Sequence, residues 1–294
     1  MPAADGRPLD LATRRLDTAP LHPAFGAEVR GVDLARDLTD ALFAAIRAEF
    51  NRSSLLLFRN QSLAPAGQEN LTARFGTIET HVLSEFTLPD HPAVMVLSNE
   101  VADGKPVGGH KIGWHWHTDL TYYPRPCMAT MLHAIEIPAE GGDTLFASLT
   151  SAYDALPPAL RSRVDPMKAI HSYAYMRSIR YPNAAPMRPE QLERVRDMVH
   201  PLIRTHPETG RRALYVSEYI IREFEGMTLE DSQALLAELN AFATEDRFVY
   251  RHRWQVGDLL IWDNRATMHK ATPYDDVRYR RRMHRSMVQG DVPY

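Results

Sequence analysis

The sequence predicts a mainly β chain with helical insertions, an α+β protein built on a sandwich or jelly roll. Three observations carry this. Many short apolar or alternating runs are separated by turn signals. Only a few stretches have helical periodicity. No internal repeat, low-complexity tract or linker interrupts the 294 residues. The expected division is a flexible N-terminal arm at 1–20 and a single domain at 21–294, with a lid insertion at 174–200.

Taken in order, AEVRGVDL (27–34) reads as a strand and turn. TDALFAAIRAEF (39–50) places apolar residues at 42, 43, 46 and 50 behind an N-capping Thr39, which predicts a helix. SLLLFRN (54–60) reads as a buried strand, and PAGQENLTARFG (65–76) as a helix closed by Gly76. Strands follow at PAVMVLSN (92–99), MATMLHAIEIP (128–138) and GGDTLFAS (141–148), with a Gly- and Lys-rich loop at 100–113. Pro157 and Pro158 break up short helices at 149–165. The Arg- and Pro-rich stretch 174–200 carries an expected helix at 189–199 and reads as the cover of a site. Two strands joined by a PETG turn occupy 200–217. TLEDSQALLAELNAFAT (228–244) is the clearest helix, with Leu229, Leu236, Leu239 and Phe242 near one face. RFVYRHRW (247–254), LLIWDN (259–264) and a basic run at 280–288 complete the strands.

A net charge of −3 gives no reason to expect nucleic acid or a membrane surface as partner. No apolar run approaches the roughly 20 residues of a spanning helix, and the N-terminus lacks an apolar signal core. The single cysteine, Cys127, excludes an intramolecular disulfide and a cysteine-rich zinc site. It reads as a buried structural thiol in a cytoplasmic protein.

The chemistry concentrates in GWHWHTDLTYYP (113–124). In a strand, residues two apart share a side, so His117 and Asp119 project together. An imidazole and a carboxylate make two-thirds of the 2-His-1-carboxylate set that selects Fe(II) for oxygen chemistry. A surface strand also carries such pairs, so the motif alone is weak. His115 shares the alternation and reads as a wall of the site. His269, in WDNRATMHKATPYDD (262–276), is a candidate third ligand far away in sequence. In RYRRRMHRSMV, Arg281 and Arg285 alternate with Met283 onto one strand face, a fork-shaped receptor for carboxylate or sulfonate oxygens. The competing reading is a solvated basic edge strand. Thr144 offers a hydroxyl at a strand start.

In their order, WHTD, GGDTLFAS, WDNRATMH and RRMHR resemble the taurine dioxygenase and phenoxyacetate dioxygenase family of Fe(II)/2-oxoglutarate-dependent oxygenases, over most of residues 25–293. The resemblance implies a double-stranded β-helix, a jelly roll with helical insertions. It implies Fe(II) held by His117, Asp119 and His269, and the distal carboxylate of 2-oxoglutarate held by Thr144 and Arg281. Arg285 and His81 would face the primary substrate. O2 would drive decarboxylation of 2-oxoglutarate to succinate and CO2 with hydroxylation of a small organic anion, a sulfonate or carboxylic acid. A carboxylate at Asp119, where related halogenases have a small residue, favours hydroxylation. Family members are commonly dimers or tetramers, so a homo-oligomer is expected. The chain departs from the taurine pattern at Ser84, where a Tyr is expected, and at Trp114 and His115. Tyr122, Tyr123, Tyr175, Arg177, Arg180 and Tyr181 are candidates to line a larger pocket.

Two other classes fit parts of the pattern. A zinc hydrolase uses the same His/Asp/His set with metal-bound water as nucleophile, but has no need of the Thr144–Arg281 clasp. A non-catalytic binding jelly roll would tolerate loss of a ligand, and none is missing.

Overall fold

The structure, a computed structural model, describes residues 16–36, 38–80, 84–183 and 186–294. Ten strands place the site: β1 (Asp17–Pro20), β2 (Ala27–Arg30), β3 (Leu55–Phe58), β4 (His91–Ser98), β5 (Cys127–Glu136), β6 (Thr144–Ser148), β7 (Val249–His252), β8 (Leu259–Asp263), β9 (Thr267–Ala271) and β10 (Arg282–Gln289). A large sheet runs β1-β2-β3-β8-β5-β10-β4, extended by Thr87–Leu88 beyond β4 and by Ile78–Glu79 against β10. All its pairs are antiparallel except β2 with β3. A smaller antiparallel sheet runs β7-β6-β9.

Burial follows the two-residue period of the strands. Leu56 and Phe58 of β3 join Ile46 and Phe50 of α1 (Asp40–Ser53) and Leu71 and Phe75 of α2 (Pro65–Phe75) in one core cluster. Leu55 and Leu57, facing the other way, join Leu132, Leu260, Trp262 and Met283 of the large sheet and Phe146 of the small one. The second cluster glues the two sheets together, and the site lies at its edge. Thr39 caps α1 by accepting from the Leu42 N–H, as its sequence predicts.

The middle of the chain is helical. It contains α3 (Leu149–Asp154), α4 (Pro158–Val164), α5 (Tyr173–Arg180), α6 (Pro189–Arg194) and α7 (Leu229–Ala243). A three-stranded sheet, Met198–Pro201, Lys168–His171 and Ile221–Phe224, packs among them. Thr228 caps α7 through the Asp231 N–H, and Leu235, Leu236 and Leu239 are its buried leucines.

Several expectations need correction. Asp17–Pro20, assigned to a loose arm, is a strand paired with β2; residues 1–15 lie outside the described residues. Residues 113–124 are not a strand: their β-pairing is one isolated bridge, His117 with His269 of β9. Tyr173–Arg180 is an unexpected helix, and the helix expected at 189–199 ends at Arg194 because Met198–Pro201 is taken up by strand pairing. Leu229, 47% exposed, is not on the buried face of α7. Among the described residues no helix is long and apolar enough to cross a membrane.

Candidate active site

Two backbone hydrogen bonds build the site. His117 N–H donates to the His269 carbonyl at 3.0 Å, and His269 N–H donates to the His117 carbonyl at 2.9 Å. Two steps on, Ala271 N–H donates to the Gly113 carbonyl. Gly113 is in the left-handed region at φ +76°, and a Cβ there would lie 3.1 Å from His117 Cε1. Only glycine brings this turn so close to the imidazole. A turn begins at Asp119, with Leu120 at φ +56°, and the Asp119 carboxylate faces the two histidines.

Ligand atoms of His117, Asp119 and His269 all lie within 4.8 Å of one another. His117 Nε2 is 3.8 Å from Asp119 Oδ1, and His269 Nε2 is 3.9 Å from Asp119 Oδ2. The His115 carbonyl lies 2.8 Å from His117 Nδ1. A carbonyl only accepts, so Nδ1 carries the proton and Nε2 keeps its lone pair for a metal. His269 packs against the rings of His117, Trp262 and Phe146. Burial, and then the neighbouring His117, push its pKa down to about 3, so the ring is neutral at pH 7. Burial alone would raise the Asp119 carboxyl. His269, Arg285, His117 and the Thr130 hydroxyl outweigh it and hold the group down at about 2, ionised. Two imidazoles and one carboxylate are the donor set a divalent metal needs.

Next to this triad is a cavity of about 40 Å³ lined by Thr144, Arg281, Arg285, His117, His269 and Trp262, among others. Arg281 Nε is shielded from solvent and has no hydrogen-bond partner. Burial lowers its pKa to about 10, which still leaves a full positive charge at pH 7. A half-buried guanidinium with no carboxylate partner among the described residues gains from an anion in the space beside it. Thr144 Oγ accepts from the Trp254 indole N–H at 3.0 Å, which leaves its own proton to donate. Arg281 is fixed from behind by Asn99. The Asn99 Oδ1 accepts from the Arg281 N–H, and its Nδ2 donates to the carbonyls of Asp276 and Tyr279.

On the other side of the triad is a cavity of about 490 Å³. Leu120, Tyr122, Tyr173, Met176 and Ile220 give it apolar walls, and Arg177 and Arg285 give it positive charge. Arg285 borders both cavities and sits 3.8 Å from Asp119 Oδ1.

Residues 17–287 match the family described as "Taurine catabolism dioxygenase TauD, TfdA family". The chain belongs to this family. It is 33% identical over 284 residues to the alpha-ketoglutarate-dependent 2,4-dichlorophenoxyacetate dioxygenase of Cupriavidus pinatubonensis, covering 93% of this chain and 97% of that one. It is 35% identical over 289 residues to the alpha-ketoglutarate-dependent sulfate ester dioxygenase of Pseudomonas putida, covering 95% and 91%. A crystal structure of a taurine dioxygenase from Burkholderia xenovorans superposes with a TM-score of 0.79 at 34% identity, over 95% and 93% of the two chains. The enzyme is therefore a 2-oxoglutarate-dependent dioxygenase. Its family uses Fe(II) and 2-oxoglutarate, and its His117–Asp119–His269 group is able to hold the metal.

The structure thus brings together six of the dioxygenase's seven sequence-predicted site residues. The seventh, His81, lies outside the described residues. His115, read as a wall, packs its ring 5.0 Å from that of His117 and lines the larger cavity. Tyr122, Arg177 and Tyr181 line that cavity as expected. Tyr123, Tyr175 and Arg180 are not among its lining residues; Arg180 instead lies over the Tyr219 ring. Sequence reasoning missed Asn99, Gly113, Thr130, Trp254 and Asn264. Asn264 and Gly113 lay inside quoted motifs, WDNR and GWHWHTD, and were open to notice; Asn99, Thr130 and Trp254 act through contacts distant in sequence.

Proposed function

We propose that this dioxygenase hydroxylates an organic anion with a sizeable apolar body, an aryloxy or alkyl carboxylate, sulfonate or sulfate ester, rather than taurine. The observation that carries the reading is the pairing of two cavities around one triad. The small one, about 40 Å³, holds a cation with no carboxylate partner among the described residues and suits one carboxylate end of 2-oxoglutarate. The large one, about 490 Å³ with mostly apolar walls, falls within the range of sites for drug-sized molecules. The dichlorophenoxyacetate and sulfate ester relatives support this substrate class.

In this reading His117, Asp119 and His269 hold Fe(II), and Thr144 and Arg281 hold the distal carboxylate of 2-oxoglutarate. Bound iron, with O2 and 2-oxoglutarate, supplies the oxidising power, and the co-products are succinate and CO2. The chain's own part is placement. Arg285, on the boundary of the two cavities, grips the substrate's anionic head, and His81 joins it. The walls formed by Tyr122, Tyr173, Met176 and Ile220 take the apolar body and keep water from the reacting carbon. Hydroxylation beside an ether or ester oxygen leaves a product that cleaves, so the net reaction releases a phenol or sulfate. Segment 174–200 acts as the lid, since α5 contributes Met176 and Arg177 to the wall. The two packed sheets support a double-stranded β-helix formed as one domain that takes in β1 together with 21–294. A cytoplasmic dimer or tetramer completes the proposal.

The test is succinate release with Fe(II), 2-oxoglutarate and a panel of anions. A medium-chain alkyl sulfate or an aryloxyacetate should exceed taurine in kcat/KM by at least about 100-fold, given about 0.8 kcal/mol per buried methylene. Preference for taurine would overturn the assignment.

A further inference from the structure

Asn264, fully buried in the turn between β8 and β9, has an amide whose orientation is dictated by its neighbours. Its Oδ1 accepts from the Asp119 N–H at 3.2 Å and from the Trp262 indole N–H at 3.1 Å. Neither donor has an accepting alternative, so oxygen and nitrogen cannot be exchanged. Asn264 Nδ2 then donates to Thr130 Oγ at 2.9 Å and toward Cys127 Sγ at 3.4 Å. The Cys127 thiol spends its own proton on the Ala129 carbonyl. Thr130 has a single hydroxyl proton and already accepts from Asn264. That proton therefore goes to Asp119 Oδ2, 2.6 Å away. Thr130 and Asn264 are 0% exposed and Asp119 is 5% exposed, which leaves little room for water to take over these bonds.

The Asp119 carboxylate has a competitor for its attention. Arg285 Nη1 stands 3.8 Å from Asp119 Oδ1, as close as His117 Nε2. A carboxylate free to rotate beside a buried guanidinium turns to a two-pronged pair with it. We infer that Thr130 and Asn264 are positioning residues that hold the Asp119 carboxylate toward His117 and His269 and away from Arg285. The inference rests on the proposal that these three residues bind the metal.

The test is the Mn(II) dissociation constant of metal-free protein, measured by electron paramagnetic resonance without co-substrate, with thermal melting alongside. Thr130→Val keeps the shape and removes the donor; it should weaken Mn(II) binding by roughly 10- to 100-fold. Thr130→Ser, which restores a hydroxyl, should bind like wild type. Should Thr130→Val fail to fold, Thr130→Cys replaces it: with its weaker donor it should bind several-fold less tightly. A folded Val or Cys variant with the wild-type constant overturns the inference, whatever its melting temperature. If wild type itself binds no Mn(II), the metal-site proposal fails and takes the inference with it; wild-type binding with indifferent variants sinks the inference alone.

Discussion

His117 and His269 exchange both of their backbone hydrogen bonds, at 3.0 and 2.9 Å, and their rings lie 4.2 Å apart. Because main chain makes the bridge, removing a side chain leaves it standing. His269→Ala should therefore fold, with an unchanged circular dichroism spectrum, but lose the metal-dependent rise in Tm. For wild type that rise corresponds to about 2.7 kcal/mol at a metal concentration 100 times Kd. An intact rise in His269→Ala would place the metal elsewhere.

Arg281 faces a cavity that has room for an anion, and its Nε has no partner. Arg281→Gln should raise the KM for 2-oxoglutarate by roughly 30-fold or more, the cost of truncating one member of a shielded charge pair. Without 2-oxoglutarate, the same variant should melt at or above the wild-type temperature, because an uncompensated cation has gone. Steady-state kinetics and melting curves with and without 2-oxoglutarate check both signs.

The large cavity separates substrate size from chemistry. Met176 and Ile220 line it, and neither borders the small cavity. Met176→Trp should lower kcat/KM for a bulky anion by about 10-fold or more through steric exclusion. The KM for 2-oxoglutarate should stay within about twofold of wild type. Equal losses on both would show that the side chain acts on the whole site.

Two histidines remote from the triad tie stability to pH. Burial, reinforced by Arg282 and His133, lowers His284 to about 4. Burial beside His200 holds His171 well below its ordinary value. In the unfolded chain both titrate near 6.5. Below 6.5 the unfolded state takes up protons that the folded state refuses, so stability falls with acid. For His284 the fall ends near pH 4, where the folded protein also protonates. Each site contributes a slope of up to about 1.4 kcal/mol per pH unit. Urea titrations from pH 7.5 to 4 should show the loss, and His284→Leu should flatten it by up to one proton.

Local signals were legible where local physics decides. Thr39 and Thr228 cap the helices their spacing announces. Ser172 caps α5 through the Tyr175 N–H in the same manner, a readable sign that went unused. The pairing of His117 with Asp119 was also expected, but through a strand alternation that does not exist. The bridge from His117 to His269 and the Thr130 hydroxyl on Asp119 hold the pair instead, and nothing in WHTD announces either. Asn99 behind Arg281, and Thr130 behind Asp119, act across 182 and 11 positions. Contacts of that kind depend on which strands become neighbours, which periodicity does not encode.

The central claim is that one triad holds iron while Arg281 and Thr144 hold 2-oxoglutarate beside it. The visible absorption spectrum of the protein with Fe(II) and 2-oxoglutarate, without oxygen, tests it most directly. A charge-transfer band should appear in wild type, disappear in Asp119→Ala, weaken in Arg281→Gln, and shift when the correct substrate anion is added. No band from protein with iron demonstrably bound, or an undiminished band in Asp119→Ala, would contradict the account.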